Sequence, residues 1–184
     1  MIGSPAVGDS IQALLFNARS IRNKFPEFVA LVSTEKPDLV AITESWIRTS
    51  NRDLEGEFAI PGYQVFHKDR VSREGGGVLL YVKDTIKTVN CSISSDHELL
   101  GVDLEVGSLS YRVLVVYRPP GQLIEKDREL YELLGPLVEG RVCMIMGDFN
   151  SHVDWETRQS TADHDLSSSF ACRACCSGLG KQYL

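Results

Sequence analysis

Three features of the chain predict a mixed α/β sandwich. Short apolar runs rich in Val, Ile, Leu or Met recur at residues 12–16, 38–42, 111–116 and 142–146, the pattern of buried strands. Between the first two runs, apolar residues recur at helical spacing. From residue 63 onward, strand-like segments follow one another with short turns between them.

Taken in order, the first run is followed by Ser20 and Asn23, either of which is expected to cap a helix reaching about Glu35. Pro26 falls near its first turn, where a missing amide hydrogen costs little. Phe25, Phe28, Val29 and Val32 share one face of that helix, which must pack on a sheet. Lys36-Pro37-Asp38 stops the helix and launches the second run, and such a strand–helix–strand unit implies that the first two strands are parallel. Segments 63–66, 77–82, 99–106 and 111–116 then read as successive strands, the last two joined as a hairpin through Gly107-Ser108-Leu109-Ser110. A second amphipathic helix over about residues 125–137 leads into the strand before Asp148. Beyond Trp155 the periodicity ends. The expected division is therefore a lead at residues 1–10, a folded domain at 11–155 and an irregular Cys-containing tail at 156–184.

A chain of 184 residues suits one domain, and an apolar fraction of 43% with 24% charged residues is ordinary for a globular protein. No apolar run approaches a membrane span, so no membrane partner is expected. The opening MIGSPAVGDS lacks a basic segment and an apolar signal core, which predicts an intracellular protein. With a formal net charge of −6, bulk electrostatics do not draw the chain to nucleic acid, so any such contact must be local. The densest local patch is His67, Lys68, Arg70 and Arg73, in the segment HKDRVSR ahead of a triple glycine. Cys91 and Cys143 fall near strands and are expected to act as small buried hydrophobes. The tail cluster of Cys172, Cys175 and Cys176 offers poor tetrahedral geometry and no second CxxC, which argues against zinc.

Each of the four apolar runs leads to a polar residue able to bind metal or phosphate: Asn17, Glu44, Tyr117 and Asp148. Ligands in α/β folds gather at the carboxyl ends of strands, so four such ends point to one shared site. Gly147-Asp148-Phe149-Asn150 carries the sharpest chemistry. In extended backbone Asp148 and Asn150 would share a face while Phe149 turns into the core. A carboxylate that takes a proton beside an amide that donates to an oxyanion suits hydrolysis. An Asx turn is the plainer reading of the same residues. Glu44, a carboxylate projecting from a strand end, is the kind of ligand that holds Mg²⁺.

Asn17-Ala18-Arg19-Ser20, Ile42-Thr43-Glu44-Ser45-Trp46, Gly75-Gly76-Gly77-Val78, Tyr117-Arg118-Pro119-Pro120 and Gly147-Asp148-Phe149-Asn150 occur in that order. With them the chain resembles the endonuclease/exonuclease/phosphatase superfamily, and within it the apurinic-type endonuclease domains of non-LTR (LINE-type) retrotransposons. The resemblance covers about residues 11–155 and implies a four-layer α/β sandwich of the DNase I-like type. It implies Mg²⁺-dependent nicking of DNA, with Mn²⁺ as a substitute, in an element that also encodes a reverse transcriptase. Its site would use Glu44 and Asn17 at the metal, Tyr117 on the scissile phosphate, Asp148 on the attacking water and Asn150 on the transition state. The patch at His67, Lys68, Arg70 and Arg73 would lie near the DNA backbone, and the protein would be nuclear if it acts on genomic DNA. The family completes its site with an Asp and a Ser-Asp-His element far downstream. Ala162-Asp163-His164-Asp165 follows Asp148 too closely to be that element. The expectation is thus a sandwich whose C-terminal half is missing and whose activity is impaired, the alternative being a noncatalytic relic or a nucleic-acid-binding fragment.

Overall fold

The computed structural model of the protein describes residues 11–47, 54–70, 75–93, 96–150, 153–154 and 159–160. The lead at residues 1–10, Arg73, His164, the three tail cysteines and nearly all of the 156–184 tail lie outside these described residues.

Two four-stranded mixed sheets form the body of the fold. The first contains β1 (Ala13–Asn17), β2 (Leu39–Thr43), β3 (Tyr63–Lys68) and β4 (Val78–Lys83), in the spatial order β1-β2-β4-β3. The second contains β5 (Lys87–Ile93), β6 (Glu98–Val106), β7 (Leu109–Tyr117) and β8 (Val142–Asp148), in sequential order. As the strand–helix–strand pattern implies, β1 and β2 are parallel, with Asn17 opposite Thr43. The second sheet holds a matching parallel pair, β7 and β8, with Tyr117 opposite Asp148. All other neighbours are antiparallel within these two sheets.

Side-chain alternation sorts the strands into layers. Leu39, Ala41, Val78, Leu80 and Val82 of the first sheet meet Leu100, Val102, Leu104, Val113 and Val115 of the second in one buried core. The alternate residues Val40, Ile42, Leu79 and Tyr81 face outward onto the helix α1 (Phe25–Glu35) through Phe28 and Val32. The short helix α2 (Leu54–Glu57) precedes Phe58 and Ile60, which join that cluster. On the other side, Leu99, Leu114 and Val116 pack under Leu130 and Leu134 of α3 (Ile124–Val138). The result is a helix–sheet–sheet–helix sandwich, the four-layer arrangement that the motifs imply. No described helix is long and apolar enough to cross a membrane.

Three local expectations need correction, and one strand, β5, was not expected. Neither Ser20 nor Asn23 caps α1: a 3₁₀ turn over Arg22–Lys24 leads in, Lys24 is the N-cap, and its amide closes on the Ile21 carbonyl at 3.0 Å. The end is as read, with Lys36 in the left-handed conformation. The hairpin is tighter than expected, because Val106 pairs with Leu109 across Gly107-Ser108 and Gly107 takes φ +60, as a primed two-residue turn requires at its glycine. The strand β5 has no apolar run to reveal it, since Thr88, Asn90 and Ser92 alternate along a sheet edge with mostly exposed residues. Cys91 on that strand is exposed, so it does not act as a buried hydrophobe, whereas Cys143 is half-buried and burial pushes its thiol pKa up.

Candidate active site

Both parallel pairs end at the same rim of the sandwich. From the first sheet come Asn17, the last residue of β1, and Glu44, directly after β2; from the second come Tyr117 and Asp148, the last residues of β7 and β8. The Asn17 amide nitrogen donates to Glu44 Oε1 at 2.8 Å and to Asp148 Oδ2 at 2.9 Å. Tyr117 donates its hydroxyl to the same Glu44 oxygen at 3.2 Å. Four polar residues separated widely in sequence thus form one hydrogen-bonded cluster across the two sheets.

The backbone around the cluster is held in unusual conformations. Of six described non-glycine residues at positive φ, five lie just beyond β1, β2 and β8: Arg19, Ser20, Glu44 (φ +52), Trp46 (φ +57) and Asn150 (φ +45). Such conformations cost roughly 1–3 kcal/mol each and persist where surrounding bonds over-determine them. Here the bonds are visible. The Glu44 carbonyl accepts from the Ser20 amide at 3.0 Å, and Trp46 donates to the Gly76 carbonyl at 2.9 Å.

Burial pushes the Tyr117 hydroxyl up to about 12, with the Glu44 charge and hydrogen bond adding to it. It therefore stays a protonated donor at neutral pH. Asp148 is held from both sides, since Oδ1 accepts from the Asn150 amide at 3.0 Å while Oδ2 accepts from Asn17. That local bond is an Asx turn, and with Asn150 at positive φ the extended-backbone argument for a shared face does not hold. The Asn150 side chain instead donates to the Arg118 carbonyl at 2.8 Å. Phe149 packs against the core beneath α3, as expected. Gly147 is required because any Cβ there would overlap the Val116 carbonyl oxygen, so only glycine lets β8 lie this close to β7.

The cationic patch divides. His67 Nδ1 lies 3.1 Å from Asp69 Oδ1, and Lys68 ends β3 opposite Val78. Arg70 turns inward: its Nε donates to Glu98 Oε1 at 2.6 Å and its guanidinium lies 5.6 Å from the Tyr117 ring centre.

Sequence reasoning assigned no role to Glu98, Asp127 or Arg118. Arg118, next after Tyr117, forms a two-pronged pair with Asp127 of α3 at 2.6 and 2.7 Å. It also donates to the Phe149 and Asn150 carbonyls at 3.4 and 3.3 Å, so it ties α3 to the loop that carries Asp148. The Tyr-Arg-Pro-Pro motif marks the arginine, but nothing local marks its acid partner.

Oxygen donors dominate the rim, which suits a hard divalent cation. Among the described residues no group of three or more His, Cys, Asp or Glu could hold a metal. The carboxylates at this rim are those of Glu44 and Asp148, bridged by the Asn17 amide.

A two-sheet sandwich with a polar cluster at paired strand ends is the DNase I-like architecture, a fold of phosphoester hydrolases. Residues 14–182 match the Endonuclease/Exonuclease/phosphatase family, and the chain belongs to it. Members of this family hydrolyse phosphodiester or phosphate bonds and generally use divalent metal ions. An AP endonuclease from Archaeoglobus fulgidus superposes with a TM-score of 0.65 at 19% identity, covering 90% of this chain and 70% of that one. The AP endonuclease LMAP from Leishmania major gives 0.66 at 15%, covering 89% and 65%. D. rerio TDP2, complexed with a single-strand DNA product, gives 0.61 at 14%, covering 76% and 60%. The chain thus spans 60% to 70% of these three structures, and at such identities the likeness shows the fold. No curated protein matches the chain.

Proposed function

We propose that the protein is a Mg²⁺-dependent endonuclease that nicks DNA, of the type encoded by LINE-type retrotransposons. The observation that carries this reading is the Asn17 amide shared between Glu44 and Asp148, with Tyr117 bonded to the same Glu44 oxygen. Two carboxylates and two fixed donors at one rim are what phosphodiester hydrolysis asks of a protein. A structural neighbour with bound DNA, TDP2, supports a nucleic-acid substrate.

Glu44, with Asn17 beside it, would hold Mg²⁺, or Mn²⁺ in its place. When bound, the ion would neutralise charge that builds on the phosphate oxygens. Asp148, fixed by Asn17 and by the Asn150 amide, orients the attacking water and accepts its proton. Water oxygen bonds to phosphorus as the bond to O3′ breaks, and the departing O3′ takes up a proton. Tyr117, protonated at working pH, would turn its single hydroxyl hydrogen from Glu44 to a phosphate oxygen when substrate binds. Asn150 keeps one amide hydrogen on the Arg118 carbonyl and offers the other toward the transition state. The product is a nick with a 3′ hydroxyl, which a reverse transcriptase of the same element would extend as a primer. Lys68 and His67 would flank the DNA path; Arg73, the remaining residue of the cationic segment, lies outside the described residues.

Supercoiled-plasmid nicking with the purified chain, in Mg²⁺ and in EDTA, tests the reading. Glu44→Ala and Asp148→Ala should each lower the rate by about 10²- to 10⁴-fold, with far-ultraviolet circular dichroism unchanged. A folded wild type that binds DNA without nicking it would make the protein a noncatalytic binder.

A further inference from the structure

We infer that Arg70 and Glu98 are positioning residues that set Tyr117 and the triple-glycine turn beside Glu44, and that Arg70 acts through Tyr117 and not by contact with DNA. The inference rests on the nuclease reading for its kinetic consequence, but its geometry stands by itself. Glu98 begins β6 as the register partner of Tyr117, the last residue of β7. By alternation both belong to the inter-sheet face, with Leu100 and Val102 on one strand and Val113 and Val115 on the other.

Arg70 closes the gap above them. Its side chain is 12% exposed and that of Glu98 is 10%, so the pair is largely out of water. The guanidinium donates Nε to one Glu98 oxygen at 2.6 Å, and a terminal nitrogen lies in ion-pair contact with the same oxygen without making a hydrogen bond. Its central carbon lies over the Tyr117 ring, 5.6 Å from the ring centre, a contact that Arg makes more often than Lys. The second Glu98 oxygen accepts from the Gly77 amide. Glu98 therefore holds the glycine turn with one oxygen and Arg70 with the other.

That turn in turn holds the loop of Glu44. Ser45 donates its amide to the Gly77 carbonyl at 3.2 Å, and Trp46 donates to that of Gly76 at 2.9 Å. A Cβ on Gly76 would strike Glu98 and Arg70, and one on Gly77 would sit 2.5 Å from Ser45 Oγ. Both glycines also take positive φ, +71 and +82. The glycine run is thus shaped to receive the Arg70–Glu98 pair, which links the backbone of one catalytic residue, Glu44, to the ring of another, Tyr117. An arginine committed in this way has its charge matched by Glu98 and lies largely out of solvent.

The experiment compares wild type with Arg70→Gln, Arg70→Lys, and the double variant Arg70→Gln/Glu98→Gln, which leaves no unpaired buried charge. Lys68→Gln serves as the reference for a phosphate contact. Tyrosine ring-carbon labelling follows Tyr117 by NMR at pH 7, with Tyr117→Phe to assign its signal among six tyrosines. Binding of a DNA duplex is measured against salt, and nicking is separated into kcat and KM. In Arg70→Gln and in the double variant the Tyr117 signal should move, the slope of log affinity against log salt should stay at the wild-type value, and kcat should fall about 10- to 100-fold at constant KM. Arg70→Lys, which keeps the charge but loses the planar fork, should not restore kcat. A salt slope reduced by about 0.9, with the Tyr117 signal unmoved, would overturn the inference and make Arg70 a phosphate contact. If wild type neither binds nor nicks DNA, the nuclease reading falls, while the Tyr117 signal in the double variant still decides whether the pair positions that ring.

Discussion

Asn17 does the work of a hinge pin between two acids. Glu44 and Asp148 come from different sheets, and two carboxylates converging on one rim repel each other unless a donor or a cation lies between them. The two hydrogens of one amide meet that need, which explains why a neutral amide stands at the end of β1 where an acid would add a third charge. Asn17→Ala should slow nicking by about 10²- to 10³-fold, the usual effect of removing one fixed donor, and Asn17→Asp should be worse. Single-turnover rates at saturating Mg²⁺ check this, and an alanine variant within threefold of wild type would sink it. At this scale much of the site was legible. Asn17, Glu44, Tyr117 and Asp148 each follow or end an apolar run, and a run's length announces where its strand stops. What a side chain does after that point depends on partners brought by tertiary packing. The inward turn of Arg70 onto Glu98 and the engagement of Asn150 with the Arg118 carbonyl therefore had no local signature.

Two arginine–carboxylate pairs join the elements of the second sheet. Arg118 and Asp127 link the end of β7 to α3, with side chains only 12% and 9% exposed. Removing one partner of so buried a pair leaves the other uncompensated, so Asp127→Ala or Arg118→Met should destabilise by about 3–5 kcal/mol in urea unfolding. Arg118→Met should also loosen the loop of Asp148, which its guanidinium holds through two carbonyls. Asp103 of β6 and Arg112 of β7 are register partners joined by two bonds at 2.6 and 2.7 Å. The hydrogen bond from Arg112 holds the Asp103 carboxyl below its ordinary value, against an opposing effect of burial and with help from the Arg112 charge. For a depressed carboxyl, the added stability is fully present above the unfolded value, about 3.9, and is lost as pH falls through the folded value. Arg112→Gln should therefore lose stability at pH 7 and show a shallower decline between neutral and acid pH, as urea midpoints across that range would reveal. Element existence was easier to read than element edges. Long runs announced most of the strands, and helical spacing announced α1 and α3, but the cap of α1 lies in a 3₁₀ turn without a capping side chain, and β5 is a mostly exposed edge strand without an apolar run.

On the scale of the whole molecule, the site is a joint. Asn17 and Glu44 belong to one sheet, Tyr117 and Asp148 to the other, and no single layer holds a working set. The spacing of the two sheets is therefore a catalytic variable, and it is set by the core between them. The core beneath α3 lies outside that inter-sheet layer, fixes a helix to the outer face of one sheet, and reaches the site only indirectly, through Phe149 beside Asp148. Leu100 in the first core and Leu134 in the second are both fully buried, so each change to Ala should destabilise by a similar amount, about 2–5 kcal/mol. Their effects on nicking should differ. Leu100→Ala lets the sheets settle toward each other and shifts two donors against two acids, for which a loss of roughly tenfold in rate per folded molecule is expected, because small misplacements of reacting groups are costly. Leu134→Ala, which reaches the site only through Phe149 and α3, should cost clearly less of that rate than Leu100→Ala once the folded fraction is corrected for. Rates measured well below each variant's unfolding midpoint separate the two, and equal losses would show that the sheets hold their spacing without help from the core between them.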